Sequence, residues 1–123
     1  MYSLMSSVRF VEDKGKRILF IDAANCDLEE MMLVIEKSKT LIVNEPLGSV
    51  LTLTVLTKGK YHGVFRKIAK EFTMFNKPYV KAGAIVGLDP AQVREFEEVT
   101  NYSHREFSFF NDIPNALLWL LQQ

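Results

Sequence analysis

A chain of 123 residues that is 48% apolar, with nine Phe, four Tyr and one Trp, has enough hydrophobic area for one close-packed core and too little length for two. Its 15 basic and 15 acidic side chains cancel, which argues against a dedicated nucleic-acid binder, since that class usually carries a basic surplus. The single cysteine, Cys26, allows no intrachain disulfide, and no apolar run exceeds the six residues of Ala116–Leu121, so the sequence predicts a cytoplasmic domain without signal peptide or membrane span.

Val8–Glu12 and Arg17–Asp22 are rich in β-forming residues, and Asp13-Lys14-Gly15-Lys16 places glycine where a tight turn needs positive φ, which predicts a hairpin. Asp27-Leu28-Glu29-Glu30 has the form of a capping box. It opens a helix expected to bury Leu28, Met31, Met32, Ile35, Leu41 and Ile42, expose Glu29, Glu36, Lys37 and Lys39, and end by Pro46 and Gly48. Ser49–Leu56 is uncharged and β-branched or aliphatic, the pattern of a mid-sheet strand covered on both faces. Tyr61, Phe65, Ile68, Phe72 and Phe75 recur at helical spacing, so a second amphipathic helix runs to Asn76-Lys77-Pro78 and exposes Arg66, Lys67 and Lys70. Tyr79–Leu88 is an apolar strand in which Gly83 and Gly87 mark a bulge or close backbone approach.

Asp89 and Pro90, with Gln92 in the capping-box position, open a third helix to about Thr100. Glu106–Phe110 is the last strand, and Asp112 opens a final helix through Leu121. Leu117, Leu118, Trp119, Leu120 and Leu121 make that helix apolar nearly all round. It must either lie deep against the sheet or offer Trp119 as the anchor of a homodimer. The order β-β-α-β-α-β-α-β-α predicts one α/β domain: a mixed, mostly parallel sheet of about five strands with crossover helices.

Leu51-Thr52-Leu53-Thr54, the segment Asn76–Gly87 and the closing Phe110–Leu120 resemble the SpoIIAA-like proteins of bacteria, which share the STAS fold of sulfate-transporter and anti-sigma-factor-antagonist domains. The resemblance implies a regulatory or ligand-sensing module rather than an enzyme. It also implies a partner switch worked by a phosphorylated serine in an Asp-Ser-Ser/Thr-Gly loop before the second helix. The matching loop here, Thr57-Lys58-Gly59-Lys60-Tyr61-His62-Gly63, has no serine; Thr57 and Tyr61 are its hydroxyls.

Charge is distributed unevenly. Residues 49–88 carry seven basic and one acidic side chain, against six and eight before them and two and six after. Thr57, Lys58, Lys60, Tyr61, His62, Arg66, Lys67 and Lys70 are therefore the candidate binding residues. Free N–H groups at a helix start favour an anion and the cations add to that field, although the same lysines also serve as a solvated surface. The loop lacks the glycine and the Ser/Thr of a Walker A sequence. His62, His104 and Cys26 lie in different elements with no metal-ligand or nucleophile–base spacing, so no metal, cofactor or catalytic residue is assigned. Cys26, just before a helix cap, is either a small buried residue or a thiolate activated by the helix dipole. Asp22, Asp27, Glu95, Glu97 and Glu98 are explained by capping or by a solvated helix face.

These residues support a non-enzymatic STAS-type domain that binds a protein partner or small anion through the loop and helix 57–70. The competing reading is a carrier of an apolar small molecule or lipid, held under Phe65, Phe72, Tyr79 and Phe96. A cavity of several hundred Å³ in that position separates the two.

Overall fold

The computed structural model describes residues 8–59, 63–103 and 107–123, with side chains for all of these but 99–103. Strands β1 (Val8–Asp13) and β2 (Lys16–Asp22) pair antiparallel around a two-residue turn. Lys14 and Gly15 both take positive φ there, 49° and 81°, which matches the twist of a tight hairpin. Helix α1 (Leu28–Ile42) starts on the expected capping box: Asp27 Oδ1 accepts from the Glu30 N–H at 2.8 Å, and Glu30 Oε1 accepts from the Asp27 N–H at 3.0 Å.

The buried face of α1 differs from the expected one. Met31, Val34, Ile35, Ser38 and Ile42 face the core, while Leu28 and Met32 are 43% and 37% exposed and Leu41 is half-buried. Ser38 can occupy that face because its Oγ donates to the Val34 carbonyl within the helix and so carries no unmet hydrogen bond into the core.

Strand β3 (Val50–Val55) is buried throughout and lies at the centre of the order β1-β2-β3-β4-β5, with β4 (Val80–Val86) and β5 (Phe107–Phe110) beyond it. All pairings except β1–β2 are parallel. Gly83 is a close approach: a Cβ there would lie 2.5 Å from the Phe107 ring and 2.8 Å from Thr52 Oγ1. Helices α2 (Phe65–Asn76) and α3 (Pro90–Ser103) follow β3 and β4, and α3 runs three residues past the expected end.

Each parallel crossover steps to the next strand in one direction, so α1, α2 and α3 share one face of the sheet. Their Met31, Val34, Ile35, Phe65, Ile68, Phe72 and Phe96 pack on Leu19, Ile21, Leu56 and Ile85, with Phe96 meeting Phe107 and Phe109 edge-on at 5.2 and 5.7 Å. The opposite face carries α4 (Ile113–Leu121) alone, whose Ala116 and Leu120 pack on Ile18, Leu51, Leu53, Ala82 and Ala84. Asp112 caps it by accepting from the Asn115 N–H at 2.8 Å. Its far end is held by Lys16 and Lys81, whose Nζ atoms donate to the Gln123 backbone oxygen at 3.0 and 3.1 Å. The all-round apolar α4 is thus covered on one side only. Trp119 is half-buried against Phe110, ring centroids 5.9 Å apart, and Leu118 is 55% exposed. Among the described residues no helix is long and apolar enough to cross a membrane.

Candidate functional site

The turns that leave the carboxyl ends of β2, β3 and β4 are laced together by backbone hydrogen bonds. Ala23 N–H donates to the Val55 carbonyl at 2.9 Å, Asn25 N–H to Thr57 at 2.8 Å, Leu56 N–H to Val86 at 2.8 Å and Gly87 N–H to Phe110 at 3.1 Å. Gly87 is fixed by this lacing: its φ is +92°, and a Cβ would fall 2.0 Å from Thr57 Oγ1. Thr57 is half-buried, with its carbonyl taken by Asn25 and its side chain against Gly87. The chain then turns outward at Lys58, which takes φ +55° and carries an exposed side chain.

A cleft of about 510 Å³ opens where the β3–α2 and β4–α3 turns lie side by side. Lys58, Gly59 and Gly63 come from the first turn and Gly87, Asp89, Ala91, Gln92 and Glu95 from the second turn and α3, with Phe65 also lining it. The two helix starts differ. Asp89 and Gln92 form the expected capping box on α3: Asp89 Oδ1 accepts from the Gln92 N–H at 2.8 Å, and Gln92 Oε1 accepts from the Asp89 N–H at 3.2 Å. Helix α2 starts after Val64; among the described residues no side chain caps it, and its first turn carries no acid.

Of the expected cations that the structure describes, Lys58 lines this cleft and the others lie off it. Arg66 forms an ion pair with Glu98 that bridges α2 and α3, and Lys67 and Lys70 are exposed on the outer face of α2. Lys60, Tyr61, His62 and His104 lie outside the described residues. Asp89, Gln92 and Glu95 belong to the cleft although the sequence marks them only as a cap and a helix face; Gly87, two residues before the cap, is the signal that a turn with special geometry stands there.

Cys26 is buried at 4% exposure, and its thiol is pushed up to about 11, first by burial and then by the carboxylates of Glu30, Asp22 and Asp27. The thiolate reading is thereby overturned: desolvation and three negative groups outweigh the helix dipole, and the thiol stays protonated at neutral pH. Among the described residues no three His, Cys, Asp or Glu side chains converge as a metal site.

Beneath Phe65, Phe72 and Phe96 the free space is only about 10 Å³. That is room for about one water, whereas a carrier in that position needs several hundred Å³. Tyr79 packs instead on Phe75, at 6.2 Å between centroids. A separate, apolar groove of about 200 Å³ lies on the other face between α4 and β1–β2, lined by Val11, Ile18, Phe20, Ile113 and Leu117 with Arg9 at its side.

No family profile matches the sequence, and no curated protein does. Among solved structures, the chain is similar to an uncharacterised protein of the DUF3478 family from Shewanella loihica PV-4, described as having a SpoIIAA-like fold. The TM-score is 0.72 at 16% identity over 92% of this chain and 91% of that one. The chain has a SpoIIAA-like fold, as the residues at 51–54, 76–87 and 110–120 implied.

Proposed function

We propose that this domain is a non-enzymatic regulatory module of the STAS type that docks a protein partner with an acidic surface through Lys58 and the exposed face of α2. The observation that carries this reading is the exposure of Lys58 on the β3–α2 turn and of Lys67 and Lys70 on the outer face of α2, a basic face beside the carboxyl ends of β3 and β4, where α/β folds place their binding sites. Arg66 adds to this face while it holds α2 to α3 through Glu98. A protein partner suits the surface better than a free small anion, because Asp89 and Glu95 line the same cleft and would repel an anion that entered it. With no serine in the loop and Thr57 packed against Gly87, docking follows from the standing charge of the surface rather than from a phosphorylation switch.

The test is gentle isolation from the native host followed by native mass spectrometry, with wild type and the triple variant Lys58→Glu, Lys67→Glu, Lys70→Glu compared. The expected result is a defined partner that binds the wild type, weakens with added salt, and is lost from the variant while the melting temperature changes by only a few degrees. A partner retained equally by both would remove the basic face from the reading.

A further inference from the structure

Strand β1 is the longer edge of the sheet. It has six residues against four in β5, contains no proline, glycine or bulge, and among the described residues no strand pairs with its outer side. Edges that stay single are usually blunted by such features. In a hairpin closed by two residues the flanking pair, Asp13 and Lys16, exchanges hydrogen bonds, and the pairs alternate from there. Val11 and Arg9 therefore turn their backbone groups to β2, and Val8, Phe10 and Glu12 turn theirs outward. The side chains alternate too. Val8 and Phe10 pack on the core beneath the three helices and Val11 on the core beneath α4, which places Arg9 and Asp13 on the α4 face beside Val11. Arg9 lies over the Phe20 ring on that face, Cζ 5.2 Å from its centroid.

We propose that β1 pairs antiparallel with β1 of a second copy of this chain, across a two-fold axis perpendicular to the sheet, so that two five-stranded sheets become one. Opposed residues then share a face, and charge selects the register. An axis through Arg9 or Glu12 opposes that charge to itself. An axis through Phe10 opposes Arg9 to Val11 and Glu12 to Val8, a charge to an apolar side chain each time. An axis through Val11 opposes Arg9 to Asp13 twice, once on each side of it. At that register Glu12 meets Phe10 of the second copy, over whose ring Arg17 stands at 3.6 Å, so opposite charges also meet on the other face. Glu12 and Asp13 form no ion pair among the described residues, and a guanidinium with five donors can serve a second partner, as Arg17 would beside Glu45. The interface lies away from Lys58, Lys67 and Lys70 and does not depend on the proposed docking face.

The experiment is sedimentation velocity of the full chain over a wide concentration range, where a reversible monomer–dimer equilibrium is expected. Arg9→Asp and Asp13→Arg each put two like-charge pairs into the dimer and should each raise its dissociation constant about tenfold or more. An equimolar mixture of the two variants opposes unlike charges at both pairs, so it should recover a heterodimer that neither variant forms alone. Glu12→Pro removes an outward N–H without touching the β1–β2 ladder and should leave a monomer whose circular dichroism is that of the wild type. A wild type that stays monomeric at every concentration, a dimer indifferent to Glu12→Pro, or variants that do not recover on mixing would each overturn the proposal. Leu118→Lys, on the exposed side of α4, should leave the dimer intact. Loss of the dimer in that variant would overturn the proposal by assigning the interface to α4. Lys58→Glu, Lys67→Glu and Lys70→Glu together should leave the dimer unchanged while partner docking is lost, so the two readings fail separately.

Discussion

Replacing Gly87 with alanine tests whether the turns at the carboxyl ends of β3 and β4 are pinned as tightly as their geometry indicates. Two costs combine. An alanine at φ +92° carries left-handed backbone strain of about 1–2 kcal/mol. Its Cβ would also sit 2.0 Å from Thr57 Oγ1 and 2.9 Å from Thr57 Cα, so backbone as well as side chain must move, an overpacking cost of about 1–3 kcal/mol. The sum is about 2–5 kcal/mol. With an unfolding entropy of about 0.26 kcal/mol per kelvin for a chain of this size, the melting temperature should fall by about 8–19 °C. Gly15→Ala is the control: its φ is +81° but nothing lies within 4 Å of the added atom. Only the strain remains, about 1–2 kcal/mol or roughly 4–8 °C. Thermal unfolding by circular dichroism and a urea titration read both variants. Adding Thr57→Ala to Gly87→Ala removes the nearest colliding atom and should restore part of the loss, a non-additivity of about 1 kcal/mol. If Gly87→Ala costs no more than Gly15→Ala, the contact with Thr57 is not a rigid one and the lacing of the turns has been overestimated.

Cys26 should react with iodoacetamide far more slowly at pH 7.5 than a free thiol, because its thiol titrates near 11 rather than 9.0; unfolding in urea should restore the ordinary rate. The same shift gives a stability window. Below pH 9 both states keep the proton; between pH 9 and 11 the unfolded chain releases it and the folded one does not, so unfolding gains and stability falls as pH rises. Cys26→Ala should flatten that part of the wild-type curve, and an identical pH slope in both proteins would count against the shift. Asp27→Ala removes the acceptor for the Glu30 N–H and should cost about 1 kcal/mol, a drop of roughly 4 °C; a change below about 1 °C would mean that α1 is held by packing alone.

The fold was legible because local and global signals agree along most of the chain. Asp27, Asp89 and Asp112 each cap the helix that their position announces, Lys14-Gly15 turns where the hairpin requires it, and the uncharged Val50–Val55 lies mid-sheet. The buried face of α1 was less legible. Leu28 and Met32 fit a helical stripe as well as Val34 and Ser38 do, and the choice between them depends on where the crossover sets the helix against β1 and α2, which no local spacing encodes.

The candidate site was half legible for a related reason. Charge counting finds Lys58, Arg66, Lys67 and Lys70, because they belong to a stretch with a single acid. It assigns Asp89 and Glu95 to a separate acidic segment, since sequence distance hides that β3 and β4 are parallel neighbours. Parallel pairing brings the two turns to the same edge, so Lys58 from the basic segment and Asp89 and Glu95 from the acidic segment that follows it line one cleft. The balance that looks like a neutral total along the chain is, in three dimensions, a meeting of opposite charges around one opening, and there it opposes the free anion that the basic segment alone would attract.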